Sequence, residues 1–389
     1  MSERLRPPAA VTIEREEGAG TAKAPKRRSA LKKPRESTYH KIEGLHMLGM
    51  MIYRRLFPAA LPLLCLALLG LQGCKAPQAF GDRNSIIVRA DPALWAEVGD
   101  EVMTALEQTS FTTRPERIFN VTYVAADDTL WLDLRLWHQV VLLGDREDEV
   151  IADLIGASDD PDVAPPAIVE TSGKWARNQV IEVLLLPANG QADAVRRLLP
   201  DLYARLDAKY EEWIAERMYT TGVNDSLRDA LADYGFTLDL PEVYDYVWED
   251  SLFRFNNHHR QGDTDLLRSL LLTWTGGTAG ATPEALRLWR ERLDEKEYDP
   301  PQDILAEGAR YDTVDVNGVP AVEFRGVWQD RSEFPAAGPF ISRAIACPAQ
   351  GRTYYLDAWV YAPGQDKYPY VRQVQILLDT FRCTSPSPV

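Results

Sequence analysis

The pair Asn317-Gly318 separates two segments, 311–316 and 319–328, in which apolar and polar residues alternate. Alternation with a period of two is typical of strands that are buried on one face. Asn and Gly tolerate the positive φ angles of a type I′ turn, so this two-residue loop predicts an antiparallel hairpin. Because further strands are predicted at 339–347 and 352–361, the C-terminal part of the chain should form an antiparallel sheet.

The N-terminal part predicts a different arrangement, in which strands alternate with helices. Residues 85–90 form an apolar run bounded by polar residues, and Asp91 followed by Pro92 is typical of a helix start. A long amphipathic helix is predicted from Gln191. Further strands are predicted at 119–125, 139–143 and 179–186. This part is therefore expected to be an α/β sandwich.

Residues 50–73 have the three parts of a secretory signal: a basic start, an apolar run and small residues at the end. The apolar run contains two prolines and barely reaches the roughly 20 residues that a spanning helix needs. The ending Leu71-Gln72-Gly73-Cys74 resembles the lipobox of bacterial lipoproteins. This resemblance implies cleavage before Cys74 and attachment of lipid to its thiol, and an uncleaved signal anchor is the alternative.

The 316 residues from Cys74 onward are enough for two domains with their own cores, and residues 220–223 are typical of a boundary between them. We therefore expect an α+β fold with two domains. The predicted divisions are 1–49, a basic extension that is mis-annotated or disordered; 50–73, the signal peptide; 74–84, a tether; 85–222, the N-terminal α/β domain; and 223–389, the C-terminal antiparallel sheet packed by helices. For 1–49, a cytoplasmic basic tail is the alternative.

The predicted mature chain is strongly acidic. From Cys74 onward it has 30 Lys and Arg residues against 52 Asp and Glu residues, a formal net charge of −22. Phosphate backbones and anionic lipids repel such a body, so nucleic acid is excluded as a partner and membrane contact is expected through the lipid anchor. We predict attachment in the cell envelope, with the body facing the periplasm or the exterior. Lys75 favours the outer membrane.

Two cysteines, Cys347 and Cys383, remain once Cys65 leaves with the signal peptide and Cys74 carries lipid. An envelope compartment is oxidising, so these two can form a disulfide. The bridge would close a loop of about 36 residues and stabilise the C-terminal domain by roughly 3–4 kcal/mol on the chain-entropy model. Two free buried thiols are the alternative.

Several short motifs occur together in the C-terminal half. They are Tyr234 to Pro241, Arg325-Gly326-Val327-Trp328, Gly338-Pro339-Phe340, and Tyr361-Ala362-Pro363 followed by Lys367 and Tyr370. Together they resemble a family of bacterial lipoproteins known only as a domain of unknown function, and the resemblance covers most of the chain after Cys74. The second half also resembles a PsbP-like domain, which implies a small antiparallel sheet packed by helices and a role in binding or assembly.

No motif in the sequence predicts catalysis, a cofactor or a metal site. His138, His258 and His259 are the histidines of the predicted mature chain, and none has the spacing of a metal-ligand motif. We expect His258 and His259 to be solvated loop residues. No nucleophile motif is present either, so no catalytic, cofactor-binding or metal-binding residue is predicted.

The candidate ligand surface consists of Arg325, Gly326, Trp328, Gly338 and Phe340. Glycine beside aromatic residues lets the backbone approach a ligand closely, and the rings provide stacking area. The alternative places Trp328 and Phe340 in the core and Gly326 at a bulge. We therefore expect a binding or scaffold protein whose partner is an envelope protein or a cell-wall component. An envelope hydrolase with a spatially assembled carboxylate or histidine site is the alternative.

Overall fold

The N-terminal half of the computed structural model contains a five-stranded sheet. Its strands are β1 (Ser85–Ala90), β4 (Asn120–Ala125), β5 (Gln139–Gly144), β6 (Ala167–Ser172) and β7 (Val180–Leu185), and β2 (Thr109–Phe111) pairs with β3 (Pro115–Arg117) in a separate hairpin. The strands of the sheet lie in the order β4-β1-β5-β7-β6, in which β6 alone runs antiparallel to its neighbour. The structure describes residues 76–261 and 264–384, so residues 1–49, the predicted signal peptide and Cys74 lie outside it. None of the described helices is long and apolar enough to cross a membrane.

Helices cover both faces of this sheet, which explains the continuous apolar run in its first strand. Ile86 and Val88 belong to the core on one face, whereas Ile87 belongs to the core on the other face. The helices are α1 (Pro92–Leu106), α2 (Trp131–Leu134), α3 (Glu149–Gly156) and α4 (Gln191–Met218). The α/β arrangement predicted for this half is confirmed, although α3, β6 and the β2-β3 hairpin were not predicted because each is short or exposed.

The C-terminal half is built on a seven-stranded antiparallel sheet. Its strands are β9 (Asp245–Glu249), β10 (Leu252–Gln261), β11 (Thr264–Gly276), β12 (Gln302–Val316), β13 (Val319–Asp330), β14 (Ala337–Cys347) and β15 (Arg352–Tyr361), while β8 (Phe236–Thr237) pairs with β16 (Arg382–Cys383) outside this sheet. The strands of the sheet lie in the order β12-β13-β14-β15-β11-β10-β9. Both residues of the predicted hairpin turn have positive φ, 53° at Asn317 and 84° at Gly318. The predicted C-terminal antiparallel sheet is confirmed, and so is the α+β class.

Helices lie on both faces of the seven-stranded sheet. They are α5 (Asp225–Ala232), α6 (Pro283–Glu297) and α7 (Tyr368–Asp379). Side chains of α5 and α7 share one core with Phe253 and Leu270, whereas α6 packs on the opposite face with Leu271 and Phe324. Cys347 and Cys383 are joined by a disulfide, with their Cα atoms 6.0 Å apart, which fastens β16 to the end of β14.

The described chain begins against the N-terminal half, in the segment predicted as a tether. The backbone N–H of Arg177 donates to the carbonyl of Pro77 at 2.8 Å, and its guanidinium donates to the carbonyl of Ala76 at 3.0 Å. The ring of Phe80 lies 4.5 Å from that of Trp137, centroid to centroid. Residues 76–80 are therefore held against the N-terminal half by these hydrogen bonds and by ring packing.

Helix α7 joins the two halves, because residues of the N-terminal half pair with it at several points. The buried Glu116 carboxylate accepts hydrogen bonds from the backbone N–H groups of Lys367 at 2.7 Å and Tyr368 at 2.8 Å, at the start of the helix. One turn further, Arg372 forms ion pairs with Asp207 and Glu211 of α4. Glu116 thus supplies the acceptor that the first turn of α7 lacks within its own sequence.

We expect Glu116→Ala to lower the free energy of unfolding by about 1–3 kcal/mol, because two buried N–H groups lose their acceptor. Urea denaturation followed by circular dichroism measures the loss. Asp366→Ala is the control, since the Asp366 side chain is 71% exposed near the same helix end and, among the residues that the structure describes, pairs only with Arg114. The control should cost less than about 0.5 kcal/mol. Equal losses in the two variants would contradict this role for Glu116.

A second buried carboxyl group, Glu182 on β7, lies directly opposite Glu170 on β6 and is 1% exposed. Burial raises its pKa to about 7, with a further contribution from Glu170 that Arg205 opposes. A carboxyl pKa that is raised in the folded state stabilises the fold at low pH, and this contribution is lost as the pH rises through the folded-state pKa.

We therefore expect Glu182→Gln to stabilise the protein by roughly 1–3 kcal/mol at pH 8, where the native glutamate is ionised, and by much less at pH 4.5. Thermal unfolding at the two pH values measures the difference. A gain that is the same at both pH values would show that the charge of Glu182 does not limit stability.

Candidate functional site

A cavity of about 510 Å³ lies on the open part of the seven-stranded sheet, beside the end of α6. Helix α6 packs against β12 to β15, and the cavity lies beside its last residue, Glu297, where residues of β10, β11, β13 and β15 form the wall. Its volume falls within the range of about 300–1,000 Å³ that is usual for small-ligand pockets.

The floor of the cavity is set by the register of the strands. Asn256, Ser269 and Trp359 lie directly opposite one another on β10, β11 and β15, and the same row continues through Phe340 to Gly326. Residues opposite one another in an antiparallel pair point to the same face, so the row brings an amide, a hydroxyl and two rings to one side of the sheet. The first three residues of the row line the cavity.

The two glycines of the candidate ligand surface make room for aromatic rings. A Cβ atom at Gly326 would lie 2.8 Å from the Phe340 ring, and one at Gly338 would lie 2.9 Å from the indole nitrogen of Trp328 and 1.9 Å from the carbonyl oxygen of Val360. Any larger residue would therefore lift these rings from the sheet. Close approach to the backbone is made here by the protein's own side chains.

The structure places the five residues of the candidate ligand surface in different environments. Trp328 is 3% exposed and borders the cavity, whereas Phe340 is 2% exposed and lies in the core beneath α6. Arg325 pairs with the buried Glu323 and does not border the cavity. Trp328 is thus the member of the predicted surface that the structure brings to the site, together with Trp359 and Tyr361, which sequence reasoning missed.

A buried group of charged side chains lies behind the cavity. The guanidinium of Arg290, on α6, is 0% exposed and pairs with Asp357 at 3.0 Å and Asp294 at 2.9 Å. It also donates to the side-chain carbonyl of Gln302 at 3.2 Å, and its central carbon lies 3.8 Å from the centre of the Phe340 ring. These contacts fix the last turns of α6 against the sheet.

The remaining oxygen of the buried Asp357 carboxylate accepts a hydrogen bond from the Tyr298 hydroxyl at 2.8 Å. Burial raises the pKa of this hydroxyl well above its usual value, and the nearby charge of Asp357 raises it further. Burial also raises the pKa of Asp294 to about 7, against the opposing effect of Arg290. An Asp in the middle of a mostly apolar strand was the sequence signal that could have revealed this group.

Paired polar and charged side chains line the rim of the cavity. Arg254 pairs with Glu297, and His258 pairs with Asp265, the imidazole Nε2 lying 2.5 Å from the carboxylate. Arg260 also contacts Asp265, at 3.3 Å. The hydrogen bond from His258 lowers the pKa of Asp265. His258 and His259 were expected in a loop, but the strong pairing of β10 with β11 places both on a strand.

A second cavity, of about 550 Å³, lies at the carboxyl ends of the parallel strands in the N-terminal half. Ligands of α/β sheets usually bind at such a position, where the strand order reverses between β1 and β5. Here Asp91 accepts hydrogen bonds from the first N–H groups of α1, and Asp148 does so at α3. These helix ends are already satisfied by the chain's own carboxylates and do not favour an anion. Within the described residues, no group of side chains could hold a metal ion.

Comparison with known proteins gives a family match for part of the chain. A family described as "Domain of unknown function (DUF4837)" matches residues 302–380, which include β12 to β15 and α7. The region holds Trp328, Trp359 and Asp357, whereas α6, β10 and β11 lie outside it. No curated protein matches the sequence. The resemblance to a domain of unknown function is thus supported for this region, and the PsbP-like resemblance stays a prediction.

Two solved structures match parts of the chain at low similarity. A protein from Bacteroides thetaiotaomicron is 10% identical with a TM-score of 0.24, and the match covers 39% of this chain and 46% of that one. The Ran-binding protein Mog1p from Saccharomyces cerevisiae is 13% identical with a TM-score of 0.28, and the match covers 38% of this chain and 90% of that one. This chain therefore spans less than half of the Bacteroides protein, and scores this low carry no functional argument.

We expect Asp357→Asn to lower the free energy of unfolding by about 3 kcal/mol or more, because it leaves the buried Arg290 without its full complement of negative charge. Urea denaturation measures the effect. Asp303→Asn is the matched control, since Asp303 pairs with Arg331 where both side chains are about half exposed, 57% and 46%. The control should change stability by less than about 1 kcal/mol. Similar losses would show that the buried group does not hold α6 in place.

Proposed function

We propose that this chain is a lipid-anchored protein of the bacterial envelope, whose seven-stranded sheet is a binding module for a small envelope component. Lipid on Cys74 would hold it at the membrane, and the cavity beside α6 would hold the ligand. The observation that carries the binding role is the cavity itself, since it combines four aromatic residues with neutral polar groups in a volume suited to a small ligand.

The anchoring part of the proposal rests on the sequence of residues 54–74. Two acyl chains on a cysteine are enough for stable membrane attachment, and a third acyl chain on the amino group of the processed N-terminus would strengthen it. The acidic body would gain little from contact with anionic lipids, so the acyl chains would supply the attachment. The outer membrane and a periplasmic or exterior orientation remain part of this proposal.

Binding is favoured over catalysis by the state of the titratable groups around the cavity. A hydrolase that protonates its leaving group with a carboxyl group needs a carboxyl whose pKa is raised. The cavity carboxylates with a resolved shift, Asp265 and Asp330, are shifted downward. For Asp330, burial raises the pKa, but hydrogen bonds from Ser332 outweigh this effect. Asp294, with its pKa of about 7, is 2% exposed and paired with Arg290 behind the cavity wall.

His138 does not support a hydrolase either. Its imidazole Nδ1 lies 3.1 Å from the carbonyl oxygen of Asn178, and its ring packs edge-on against Trp213 in the N-terminal half. The side chain is buried, and it lies just before β5 in the N-terminal half, whereas the aromatic cavity lies in the C-terminal half. Its contacts are those of a structural residue.

Mass spectrometry of the protein purified from its native membrane tests both parts of the proposal. We expect a chain that starts at Cys74 with added acyl mass, and Cys74→Ala should move the protein out of the membrane fraction. Under native conditions we expect a further adduct from a bound small molecule. A chain that keeps residues 1–73 would contradict the anchor, and a protein that carries no adduct and binds no added ligand would contradict the binding role.

Ser269→Phe locates the adduct, because a ring at this buried position would fill the cavity floor beside Trp359. Thr275→Phe is the control on the same strand, at an exposed position outside the cavity. The adduct should disappear in the first variant and remain in the second. An adduct that survives Ser269→Phe would place the ligand elsewhere.

A further inference from the structure

Two indole N–H groups beside the cavity have no hydrogen-bond acceptor. The nitrogen atoms of Trp328 and Trp359 are both buried and make no hydrogen bond with any residue that the structure describes. The two rings meet edge to face, with their centres 5.2 Å apart, so both donors belong to one small region. A buried donor without an acceptor destabilises the protein. A ligand that brings acceptor atoms to this region would offset that destabilisation.

The two tryptophans differ in their freedom to meet a ligand. Trp328 is pressed against Gly338 and is 3% exposed, whereas Trp359 is partly exposed at the cavity wall. Trp359 is therefore the tryptophan that a ligand in the cavity can contact more readily. Beside it in the same row, Ser269 and Asn256 add a hydroxyl and an amide that both donate and accept. The floor thus offers a short line of neutral hydrogen-bonding groups.

The charges around the cavity disfavour an ionic ligand. Four carboxylates line it, those of Asp265, Glu297, Asp299 and Asp330, against the single guanidinium of Arg254. Their excess repels an anion. A cation is also a poor match, because it brings donors and no acceptor to the indole N–H groups, and because Glu297 and Asp265 are already paired within the protein.

The aromatic side chains favour a ligand that has an apolar face as well as oxygen atoms. The rings of Tyr298 and Trp359 meet edge to face with centres 5.7 Å apart, and Tyr361 lies two residues further along β15. Such rings bind flat C–H surfaces by dispersion. A plain acyl chain would satisfy the rings but would leave the indole donors, the amide and the hydroxyl without partners.

We infer that the cavity binds a neutral sugar, with a ring or hydroxyl oxygen accepting a hydrogen bond from the indole N–H group of Trp359. The C–H face of the sugar ring packs on the aromatic wall, and Asn256 and Ser269 pair with its hydroxyl groups. This inference rests on the proposed binding role and specifies the class of its ligand.

Titration of the full chain in detergent with neutral trisaccharides tests the ligand class. The set consists of maltotriose, cellotriose, xylotriose, mannotriose and chitotriose, and trigalacturonate is an anion of the same size. Calorimetry and tryptophan fluorescence follow binding. We expect saturable binding of at least one neutral trisaccharide and at least tenfold weaker binding of trigalacturonate. If no neutral trisaccharide binds at concentrations up to about 10 mM, corresponding to about −2.7 kcal/mol, the inference is overturned.

Trp359→Phe tests the hydrogen bond, because it keeps an aromatic ring and removes the donor. We expect it to weaken sugar binding about tenfold, which corresponds to about 1.4 kcal/mol. Trp95→Phe is the control, since Trp95 stacks on Tyr123 in the N-terminal half. If the Trp359→Phe variant folds as the control does and its affinity is unchanged, the assigned contact is overturned.

The outcome for the ligand class can be separated from the outcome for the binding role. A native adduct that Ser269→Phe abolishes, but whose mass is not that of a sugar and which no trisaccharide displaces, would overturn the sugar and leave the binding module intact. Absence of both the adduct and any sugar binding would overturn both.

Discussion

The placement of α6 on the seven-stranded sheet depends on the buried ion pair between Arg290 of α6 and Asp357 of β15. Helix α6 carries few apolar side chains, so Leu286, Trp289 and Leu293 must be held in register against the sheet by something more directional than dispersion. A fully buried guanidinium with a fixed set of acceptors provides that register, at a desolvation cost that an apolar pair would avoid. The position of α6 in turn decides which part of the sheet remains open, and therefore where the cavity lies.

Local patterns predicted much of the fold. Asn317-Gly318 predicted the hairpin because its turn chemistry requires no tertiary context, and the strand at 352–361 was predicted with its observed bounds. The eight-residue helix α3 and the exposed strand β9 were missed because short or solvated elements carry little periodicity. Propensity rules describe residues that are neighbours in the sequence, whereas α3 and β9 are held mainly by contacts with residues that are distant in the sequence.

The cavity could not be predicted in the same way. Its wall combines residues of β10, β11, β13 and β15 with the end of α6, and Arg254 and Trp359 are about a hundred positions apart in the sequence. Sequence reasoning selected Trp328 for its glycine-rich surroundings, but those glycines accommodate rings of the core. The row from Asn256 to Gly326 exists only through strand register, which a single sequence does not specify across seven strands.

The packing of residues 76–80 against the body limits how far from it a group attached upstream of them can lie. One residue, Lys75, lies between Cys74 and Ala76. Consecutive Cα atoms are about 3.8 Å apart, so the Cα atoms of Cys74 and Ala76 are at most about 7.6 Å apart. A body joined by such a short link cannot reach across a wide gap, and its rotation about the attachment point is restricted. Its stand-off from an attachment point at Cys74 would be set by the hydrogen bonds of Arg177 to Ala76 and Pro77, and a partner would have to come to it.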